Sequence, residues 1–451
     1  MWKTKLQKNL TLQSKIYAMN VFIETYGCQM NVNDSEVVLA ILQEEGYRLC
    51  GSIGEADLIL VNTCSVRDNA EQRVLGRLDV FRQEKKKRGR VVVGVLGCMA
   101  QRMKEKLLEH PVVDLVAGPD SYRDIPRMLA ALRSEGKQIS ATLSCEETYA
   151  DIKPVRMDGK GVSAYISIMR GCNNVCSYCI VPYTRGPERS RDPRSILDEA
   201  RDLVSAGYRE INLLGQNVDS YRYGDINFAR LLEMVAGSSP STRVRFATSH
   251  PKDMSDEVLR VMAAHDNLCK HIHLPVQSGS TPVLEKMNRK YTREKYLERI
   301  ARIREIIPEC AITTDVIAGF CGETDRDHEL TMSLLEEVRF DGAFMFQYSE
   351  RPLTKASRHF PDDVPPQTKT ARLNEIIALQ NKISLEQNQK YVGGIFDVLV
   401  EGTSKRGADR MVGRTTHNKT CVFPACGQKA GDFVKVKVLS CSSATLIAET
   451  I

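Results

Sequence analysis

The chain has no run of apolar residues long enough to cross a membrane. Its longest apolar stretches, such as Val91 to Leu96 and Ala311 to Phe320, have the length of β-strands, whereas a membrane helix needs about 20 apolar residues. The first eight residues contain three lysines and no apolar segment. These absences predict that the chain has no signal peptide, does not associate with a membrane and resides in the cytoplasm.

The chain also lacks a strong excess of either positive or negative charge. The 63 Lys and Arg residues against 57 Asp and Glu residues give a net charge of +6 in 451 residues, which permits a polyanionic partner without requiring one. The chain shows no internal repeat and no low-complexity segment, and its 42% hydrophobic residues are typical of a globular protein. Its length predicts two to four domains, and no feature calls for an assembly larger than a monomer.

Cysteine, in contrast, is abundant, with 14 residues. In a long chain without an export signal, this number favours metal or redox chemistry over disulfides. Cys172, Cys176 and Cys179 form a C-x3-C-x2-C run flanked by Gly, Asn and Ser. Most zinc and iron–sulfur sites collect four protein ligands, so three thiolates on a cubane cluster would leave one iron open to a small molecule. The alternatives are core cysteines or part of a zinc site.

Three further cysteines occupy equivalent places in an alternating strand and helix pattern. Cys28, Cys64 and Cys98 each follow a predicted strand, and the repeated βα units predict a doubly wound parallel sheet. The carboxyl ends of parallel strands meet at one edge, where ligands usually bind. The placement predicts a second metal site at this edge; the alternative is three buried core thiols.

The remainder of the chain predicts two more domains. A second βα series has six strands, which predict a partial (βα)6 barrel, at Ser163–Met169, Glu210–Leu214, Val244–Thr248, His271–Leu274, Thr313–Ala318 and Ala343–Gln347. After a proline-rich break at 361–366 and one long helix, five short strands predict a small β-barrel. The expected boundaries are residues 18–135 for the first domain, 136–160 for a linker, 161–390 for the central domain and 391–451 for the last.

Several stretches carry a family resemblance. The Cys172 run, with Tyr178 before its last cysteine, resembles the cluster motif of radical S-adenosylmethionine (SAM) enzymes. Over nearly its full length the chain resembles the methylthiotransferase family, and its C-terminal barrel resembles a TRAM domain, an RNA-binding module. One departure is Cys321, which stands where the family pattern has proline. The matching stretches are residues 24–31, 62–67, 179–186, 214–218, 273–280 and 346–349.

The resemblance implies two 4Fe-4S clusters and SAM as cofactors. Cys172, Cys176 and Cys179 would hold the SAM-cleaving cluster, and Cys28, Cys64 and Cys98 would hold an auxiliary cluster. The residues that would contact SAM are Tyr178, Gly215, Gln216, Asn217, Ser249, Gln277 and Gly319. The alternative is that these are ordinary residues of loops at strand ends.

The implied reaction adds a methylthio group to carbon 2 of isopentenyladenosine 37 in a tRNA anticodon stem-loop. It uses two SAM molecules, one as methyl donor and one as radical source, and it implies a flavodoxin- or ferredoxin-like electron donor and a sulfur or cluster-repair protein. Alternatives within the family are threonylcarbamoyl-adenosine in tRNA or an aspartate of a ribosomal protein. A non-catalytic iron–sulfur sensor that binds RNA is the alternative from another class.

Two sets of basic residues are candidates for RNA contacts. Arg185, Arg189 and Arg191 follow the cluster motif, and their guanidinium groups suit phosphate; internal pairing is the alternative. Residues 391–451 contain eight Lys or Arg against five Asp or Glu, a net charge of +3. A small basic β-barrel is typical of a nucleic-acid-binding module.

Overall fold

The computed structural model describes residues 19–65, 68–157, 161–405, 407 and 409–451. The last residues of the predicted linker, 158–160, and Arg406 of the C-terminal barrel lie outside these ranges. The described residues form two compact units, one within residues 19–144 together with Ile152–Val155, and one within residues 145–151 and 156–451. Within the described ranges, no helix is long and apolar enough to span a membrane.

The first unit contains a parallel six-stranded sheet of order β2-β1-β3-β4-β5-β6. This confirms the predicted doubly wound sheet. The strand order reverses between β1 and β3, because β2 is added on one side of β1 and the later strands are added on the other. The strands are β1 (Asn20–Tyr26), β2 (Arg48–Leu49), β3 (Leu58–Thr63), β4 (Val92–Gly97), β5 (Leu115–Ala117) and β6 (Gln138–Ser140). The helices are α1 (Gln29–Glu44), α2 (Asp68–Arg88), α3 (Cys98–Met103), α4 (Glu105–Leu108) and α5 (Ile125–Glu135).

Burial explains why these segments form the sheet. All six residues of β3 are buried, because helices cover both faces of a parallel sheet. The outer strand β6 lies within residues 136–160, which the sequence predicts to be a linker. It pairs with β5 from Leu115 opposite Gln138, so this part of the predicted linker belongs to the first sheet.

The second unit begins with a partial barrel, as predicted. Its six parallel strands lie in the sheets β13-β10-β7 and β14-β15-β16, and a parallel bridge pairs Val244 of β13 with Leu268, three residues before β14. The barrel strands are β7 (Ser163–Ser167), β10 (Glu210–Leu214), β13 (Arg243–Phe246), β14 (His271–His273), β15 (Ala311–Ala318) and β16 (Gly342–Gln347). Short strands lie between them at β8 (Met169–Arg170), β9 (Arg189–Ser190), β11 (Arg222–Tyr223) and β12 (Ile226–Asn227).

Helices surround the barrel and lead to the last domain. Most of these helices pack their apolar faces on the strands, whereas the two shortest, at residues 181–185 and 355–359, contribute no residue to that core. The helices are α6 (Val181–Arg185), α7 (Pro193–Ser205), α8 (Phe228–Ser238), α9 (Asp256–Ala264), α10 (Thr281–Lys286), α11 (Arg293–Ile306), α12 (Asp325–Val338), α13 (Lys355–His359) and α14 (Pro366–Gln389).

The C-terminal residues form a closed five-stranded barrel of order β17-β18-β19-β21-β20, which confirms the predicted small β-barrel. Its core contains alternate residues such as Val398, Val436 and Val438, which are fully buried. The strands are β17 (Ile395–Thr403), β18 (Arg410–Thr415), β19 (Thr420–Pro424), β20 (Phe433–Cys441) and β21 (Leu446–Thr450).

Two buried arginines of β13 fasten the C-terminal barrel to the central one. Arg243 donates to the carbonyls of Arg414 and Asp397 at 2.7 and 2.8 Å. Arg245 donates to the carbonyl of Thr415 at 2.6 Å and pairs with Glu210 at 2.6 Å.

The pKa of Glu210 reports the strength of this pairing. Burial raises the pKa of Glu210, but Arg245 and the hydrogen bonds lower it by more, so the pKa lies below its ordinary value. The stabilisation is therefore present above the unfolded pKa of about 4.3 and is lost as the pH falls through the lower folded value.

Replacing Arg245 is expected to destabilise the second unit. Arg245→Met leaves the carboxylate of Glu210 buried without its cation, which costs about 3–5 kcal/mol of unfolding free energy. Urea unfolding at pH 7 measures this loss. Arg230→Met is the control, because Arg230 pairs with Glu233 at the exposed surface, and such pairs contribute at most about 1 kcal/mol. Equal losses in the two variants would contradict a role for Arg245 in fastening the domains.

Candidate iron–sulfur and cofactor sites

The three N-terminal cysteines lie at one edge of the first sheet. Tyr26 of β1 is opposite Thr63 of β3, which is opposite Gly97 of β4. Cys64 and Cys98 directly follow the paired residues, and Cys28 follows one residue later. The edge lies where the chain reverses direction, between β1 and β3, and such positions form ligand crevices in open α/β sheets.

Two glycines allow the strand ends to approach closely. Gly27 has a φ of +145°, and a Cβ atom there would lie 2.7 Å from the Cβ of Cys64. Gly97 has a φ of +86°, and a Cβ atom there would lie 2.2 Å from Oδ1 of Asn62. Any side chain at either position would therefore displace the neighbouring strand end, so both glycines are needed for this arrangement.

A buried amide network supports the cysteines, and the sequence reasoning missed it. Asn31 Nδ2 donates to Asn62 Oδ1 at 3.0 Å, and Asn62 Nδ2 donates to the carbonyl of Asn31 and to Ser35 Oγ at 3.0 Å. The Cys28 thiol donates to Asn31 Oδ1 at 3.2 Å. The available signal was the polar Asn62 inside a strand of buried residues, because a buried amide requires hydrogen-bond partners.

The C-x3-C-x2-C run forms a loop directly after β8. Gly171 opens it with a φ of +74°, where a Cβ atom would lie 1.9 Å from the carbonyl oxygen of Pro187. Cys176 is buried, whereas Cys172 and Cys179 are half-buried. Burial raises the pKa of the Cys172 thiol to about 11 and that of Cys179 to about 12. The thiols of Cys172 and Cys179 are thus protonated at neutral pH until metal binding displaces the protons.

The donor set of each cysteine group fits an iron–sulfur cluster. Thiolates are the ligands that select iron–sulfur clusters and zinc, and the Cys172 group offers three of them on one short loop beside a buried cation. Among the described residues, no three His, Cys, Asp or Glu side chains gather around a single-ion site. The fit to a cluster therefore rests on ligand type and on placement, in one short loop for the Cys172 group and at adjacent strand ends for the Cys28 group.

A buried arginine connects the cysteine loop to the barrel. Arg289 is 5% exposed. Its guanidinium donates to Cys176 Sγ at 3.3 Å, Tyr178 OH at 3.4 Å, Tyr291 OH at 3.0 Å and the carbonyl of Pro275 at 2.9 Å. The cation lies where bound thiolates would accumulate negative charge. Sequence reasoning missed it because Arg289 is distant from the cysteines in the chain.

The predicted SAM-binding residues lie at the carboxyl ends of neighbouring strands. Gln216 and Asn217 follow β10, Ser249 follows β13, and Gln277 follows β14 with a φ of +71°. In the described part of the chain, Gln216 Oε1 and Asn217 Oδ1 are buried without a hydrogen-bond partner. Buried acceptors of this kind suit a ligand that carries N–H donors, so these positions fit the amino group of SAM.

The two glycines predicted to bind SAM are closely packed against neighbouring side chains. A Cβ atom at Gly319 would lie 2.3 Å from Cγ of Lys369 in α14, and one at Gly215 would lie 2.5 Å from Cγ of Met169. Tyr178 is half-buried, and its ring packs edge-on against Phe320 with the two ring centres 6.3 Å apart. Cys321 is 2% exposed in the same apolar cluster, which is consistent with a structural role.

The predicted phosphate contacts of Arg185, Arg189 and Arg191 do not agree with their burial. All three residues are at most 5% exposed. Arg191 pairs with buried Glu199, and Arg189 donates to the carbonyls of Glu147, Arg185 and Pro187. A phosphate clamp needs accessible guanidinium groups, so the geometry favours the alternative of internal pairing.

Comparisons with known proteins cover most of the chain. Residues 20–118 match "Uncharacterized protein family UPF0004", residues 166–335 match the radical SAM superfamily, and residues 389–451 match the TRAM domain. A relative from Bacteroides thetaiotaomicron, named tRNA-2-methylthio-N(6)-dimethylallyladenosine synthase, is 56% identical over 96% of each chain. A relative of the same name from Porphyromonas gingivalis is 54% identical over 96% of this chain and 95% of its own.

Solved structures show a similar fold at low sequence identity. The radical SAM methyltransferase TsrM from Kitasatospora setae, with tryptophan and a SAM analogue, is 16% identical with a TM-score of 0.57, covering 86% of this chain and 79% of TsrM. The cobalamin-dependent radical SAM enzyme OxsB is 13% identical with a TM-score of 0.54. That match covers 80% of this chain, which spans 56% of the OxsB chain.

Replacing Arg289 is expected to weaken the cluster site beside it. Arg289→Met removes both the hydrogen bonds and the charge, and Arg289→Lys keeps the charge but not the planar fork. Contacts that support metal ligands typically contribute about 10- to 100-fold in metal affinity. We therefore expect the iron affinity of Arg289→Met, measured against a chelator, to fall by about this factor. The affinity of Arg289→Lys should lie between those of Arg289→Met and the unaltered protein.

The effect of Arg289 is measured as iron retention in competition with a chelator. In all proteins compared, Cys28, Cys64 and Cys98 are replaced, so that only the cluster of the Cys172 group is counted. Arg293→Met is the matched control, because Arg293 also donates to main-chain carbonyls, of Gly279 and Leu330, but contacts no cysteine. Unchanged iron retention in Arg289→Met would show that its contact with Cys176 does not support the site.

Proposed function

The chain belongs to the methylthiotransferase family that includes the tRNA-2-methylthio-N(6)-dimethylallyladenosine synthases, and we propose that it carries out the reaction named in those relatives. It is a radical SAM tRNA methylthiotransferase that uses SAM and 4Fe-4S clusters. The observation that carries this conclusion is identity above 50% over nearly the full length of both chains. The proposed product is 2-methylthio-isopentenyladenosine at position 37 of tRNA, made with two SAM molecules per turnover.

The six cysteines are proposed as the cluster ligands. Cys172, Cys176 and Cys179 are assigned to the SAM cluster, and Cys28, Cys64 and Cys98 are assigned to the auxiliary cluster. Their positions at strand ends, the close approach at Gly27 and the cation of Arg289 support this assignment.

The chemistry that breaks an unactivated C–H bond belongs to the cofactors, because no protein base removes such a hydrogen. Cys172, Cys176 and Cys179 would hold a cluster whose chemistry, when bound, would be the one-electron cleavage of SAM, from which the 5′-deoxyadenosyl radical would come. The residues of this chain bind and orient the cofactors. Gln216 and Asn217 are proposed to accept hydrogen bonds from SAM, and Arg289 is proposed to balance the negative charge of the thiolates.

The C-terminal barrel is proposed to hold the tRNA. Strand β20 alternates between buried valines and exposed residues, and Phe433, Lys435, Lys437 and Leu439 share its exposed face. Lysines beside exposed apolar side chains suit phosphate contacts and base stacking together. The anticodon stem-loop is the proposed ligand, in agreement with the TRAM match.

The remaining partners follow from the reaction. A low-potential flavodoxin- or ferredoxin-like protein is proposed to supply electrons, and a sulfur or cluster-repair protein to restore the auxiliary cluster. The protein is proposed to act as a monomer in the cytoplasm, where its tRNA substrate is found. The related substrates, threonylcarbamoyl-adenosine and a ribosomal-protein aspartate, are not favoured, because the highly identical relatives carry the isopentenyl-type name.

Removing each cysteine group is expected to remove one cluster. The triple variant Cys172→Ala, Cys176→Ala, Cys179→Ala and the triple variant Cys28→Ala, Cys64→Ala, Cys98→Ala should each lose about four irons of the reconstituted protein. Iron and sulfide determination after anaerobic reconstitution measures this. Cys426→Ala, at an exposed position, should keep all the iron. Full iron content in either triple variant would refute the assignment of that group.

The substrate is tested with three nucleoside or peptide acceptors. The reconstituted protein, SAM and dithionite are incubated with an anticodon stem-loop carrying isopentenyladenosine, one carrying threonylcarbamoyl-adenosine, or the ribosomal-protein peptide. Mass spectrometry of digested products should show a methylthio adduct only on the isopentenylated adenine. An adduct on another acceptor would show that this acceptor, and not the isopentenylated stem-loop, is the substrate. Intact clusters that form no 5′-deoxyadenosine would contradict the enzymatic function.

A further inference from the structure

A cavity of about 180 Å³ opens beside two of the predicted cluster ligands, Cys176 and Cys179. Its wall is formed by the cysteine loop with α6 and by the short helix α13. The lining residues other than the cysteines are Val175, Pro182, Tyr183, Lys355, Arg358 and His359. Because neither Gln216, Asn217, Ser249 nor Gln277 lines it, this opening is separate from the strand ends predicted to bind SAM.

The rim of this opening carries positive charge that the protein does not neutralise. Lys355 and Arg358, which we call the cationic rim, are exposed, as is the neighbouring His359. Among the residues that the structure describes, neither Lys355 nor Arg358 forms an ion pair. The guanidinium of Arg358 lies 5.8 Å from the ring centre of Tyr183. A pair of unneutralised cations on the surface attracts an acidic partner.

Exposed apolar side chains accompany the cations. Val175 is 58% exposed, Leu353 is 44% exposed and Tyr183 is 38% exposed. Val175 and Tyr183 line the opening, and Leu353 lies two residues before Lys355 in the chain. Apolar and aromatic residues beside charges are characteristic of the surfaces that proteins use to bind other proteins.

The helix that carries the cationic rim is hydrogen-bonded to the cysteine loop. The amide of Ala356 in α13 donates to the carbonyl of Ser177 at 2.6 Å. Ser177 in turn donates from its amide to the carbonyl of Met287 at 2.9 Å and from its hydroxyl to the carbonyl of Lys286 at 2.7 Å. Thr354 caps α13 by accepting from the amide of Ser357. A partner bound to the rim would therefore be held at a fixed position relative to Cys176 and Cys179.

We propose that the cationic rim is the docking surface for an acidic one-electron carrier protein. One electron leaves the reduced carrier and enters the iron–sulfur centre assigned to Cys172, Cys176 and Cys179, so the carrier is oxidised by one electron and the centre is reduced by one. This inference rests on the proposed function, which consumes that electron in cleaving SAM. A carrier is favoured over RNA because the opening leads to the cysteines and not to the predicted SAM-binding residues, beside which the target adenine must react.

The test reverses the charge of the rim. The reconstituted holoenzyme with Lys355→Glu and Arg358→Glu is compared with the unaltered protein and with a control carrying Arg194→Glu and Lys382→Glu. The control changes the net charge equally at exposed positions elsewhere. Two readouts are used: the affinity for flavodoxin, titrated at low and high salt, and the rate of 5′-deoxyadenosine formation with reduced flavodoxin or with dithionite.

The rim variant is expected to bind flavodoxin at least about 10-fold more weakly at low salt, with little difference at high salt. Its rate of 5′-deoxyadenosine formation should fall by a similar factor with flavodoxin and stay unchanged with dithionite, which shows that the site itself is intact. The control variant should behave as the unaltered protein in all four measurements.

Three results would overturn the inference. The first is unchanged flavodoxin affinity in the rim variant, and the second is an equal loss in the control. The third appears in an added measurement of methylthio transfer to the isopentenylated stem-loop with dithionite, where a loss of this transfer alone would assign the rim to RNA. The binding titration reads the surface even when no 5′-deoxyadenosine forms, so failure of the docking surface and failure of the proposed function remain distinguishable.

Discussion

Parallel strand pairing is the constraint on which both candidate sites depend. Parallel strands place their carboxyl ends at one edge, so loops far apart in sequence meet there. In the first unit this brings Cys28, Cys64 and Cys98 to adjacent strand ends, with Tyr26, Thr63 and Gly97 in register. In the second unit the same rule places Gln216, Ser249 and Gln277 at the ends of neighbouring barrel strands.

Burial then determines what these edges can hold. A buried thiol has a raised pKa, and releasing its proton requires compensation by a metal or a cation. Arg289 provides a cation that contacts Cys176, and its other hydrogen bonds to Tyr178, Tyr291 and the carbonyl of Pro275 fix its position. The amide network of Asn31 and Asn62 has the same supporting role in the first unit without a charge. Each site therefore depends on buried polar groups that lie outside its cysteine motif.

Most regular elements were predictable because their signals are local. The six barrel strands lie within a few residues of their predicted positions, and the last domain has the five strands predicted for it, since apolar alternation and Gly-rich turns define them. The outer strands β2 and β6 were missed because two or three partly polar residues carry no periodicity. β6 forms only because Leu115 offers an unpaired edge opposite Gln138, and a sequence pattern does not contain that information.

The sequence by itself determined the cysteine spacing that makes these residues candidate ligands, the domain order and the family, because these are properties of local chemistry and of recognisable motifs. Only the tertiary structure decided which charged residues are available. Arg185, Arg189 and Arg191 read as phosphate ligands in the sequence, yet they are buried. Arg245, Arg289 and the cationic rim acquire their roles from contacts with residues far away in the chain. Whether a guanidinium meets a carboxylate, a thiol or solvent depends on packing between distant segments, and that packing is fixed only when the whole fold forms.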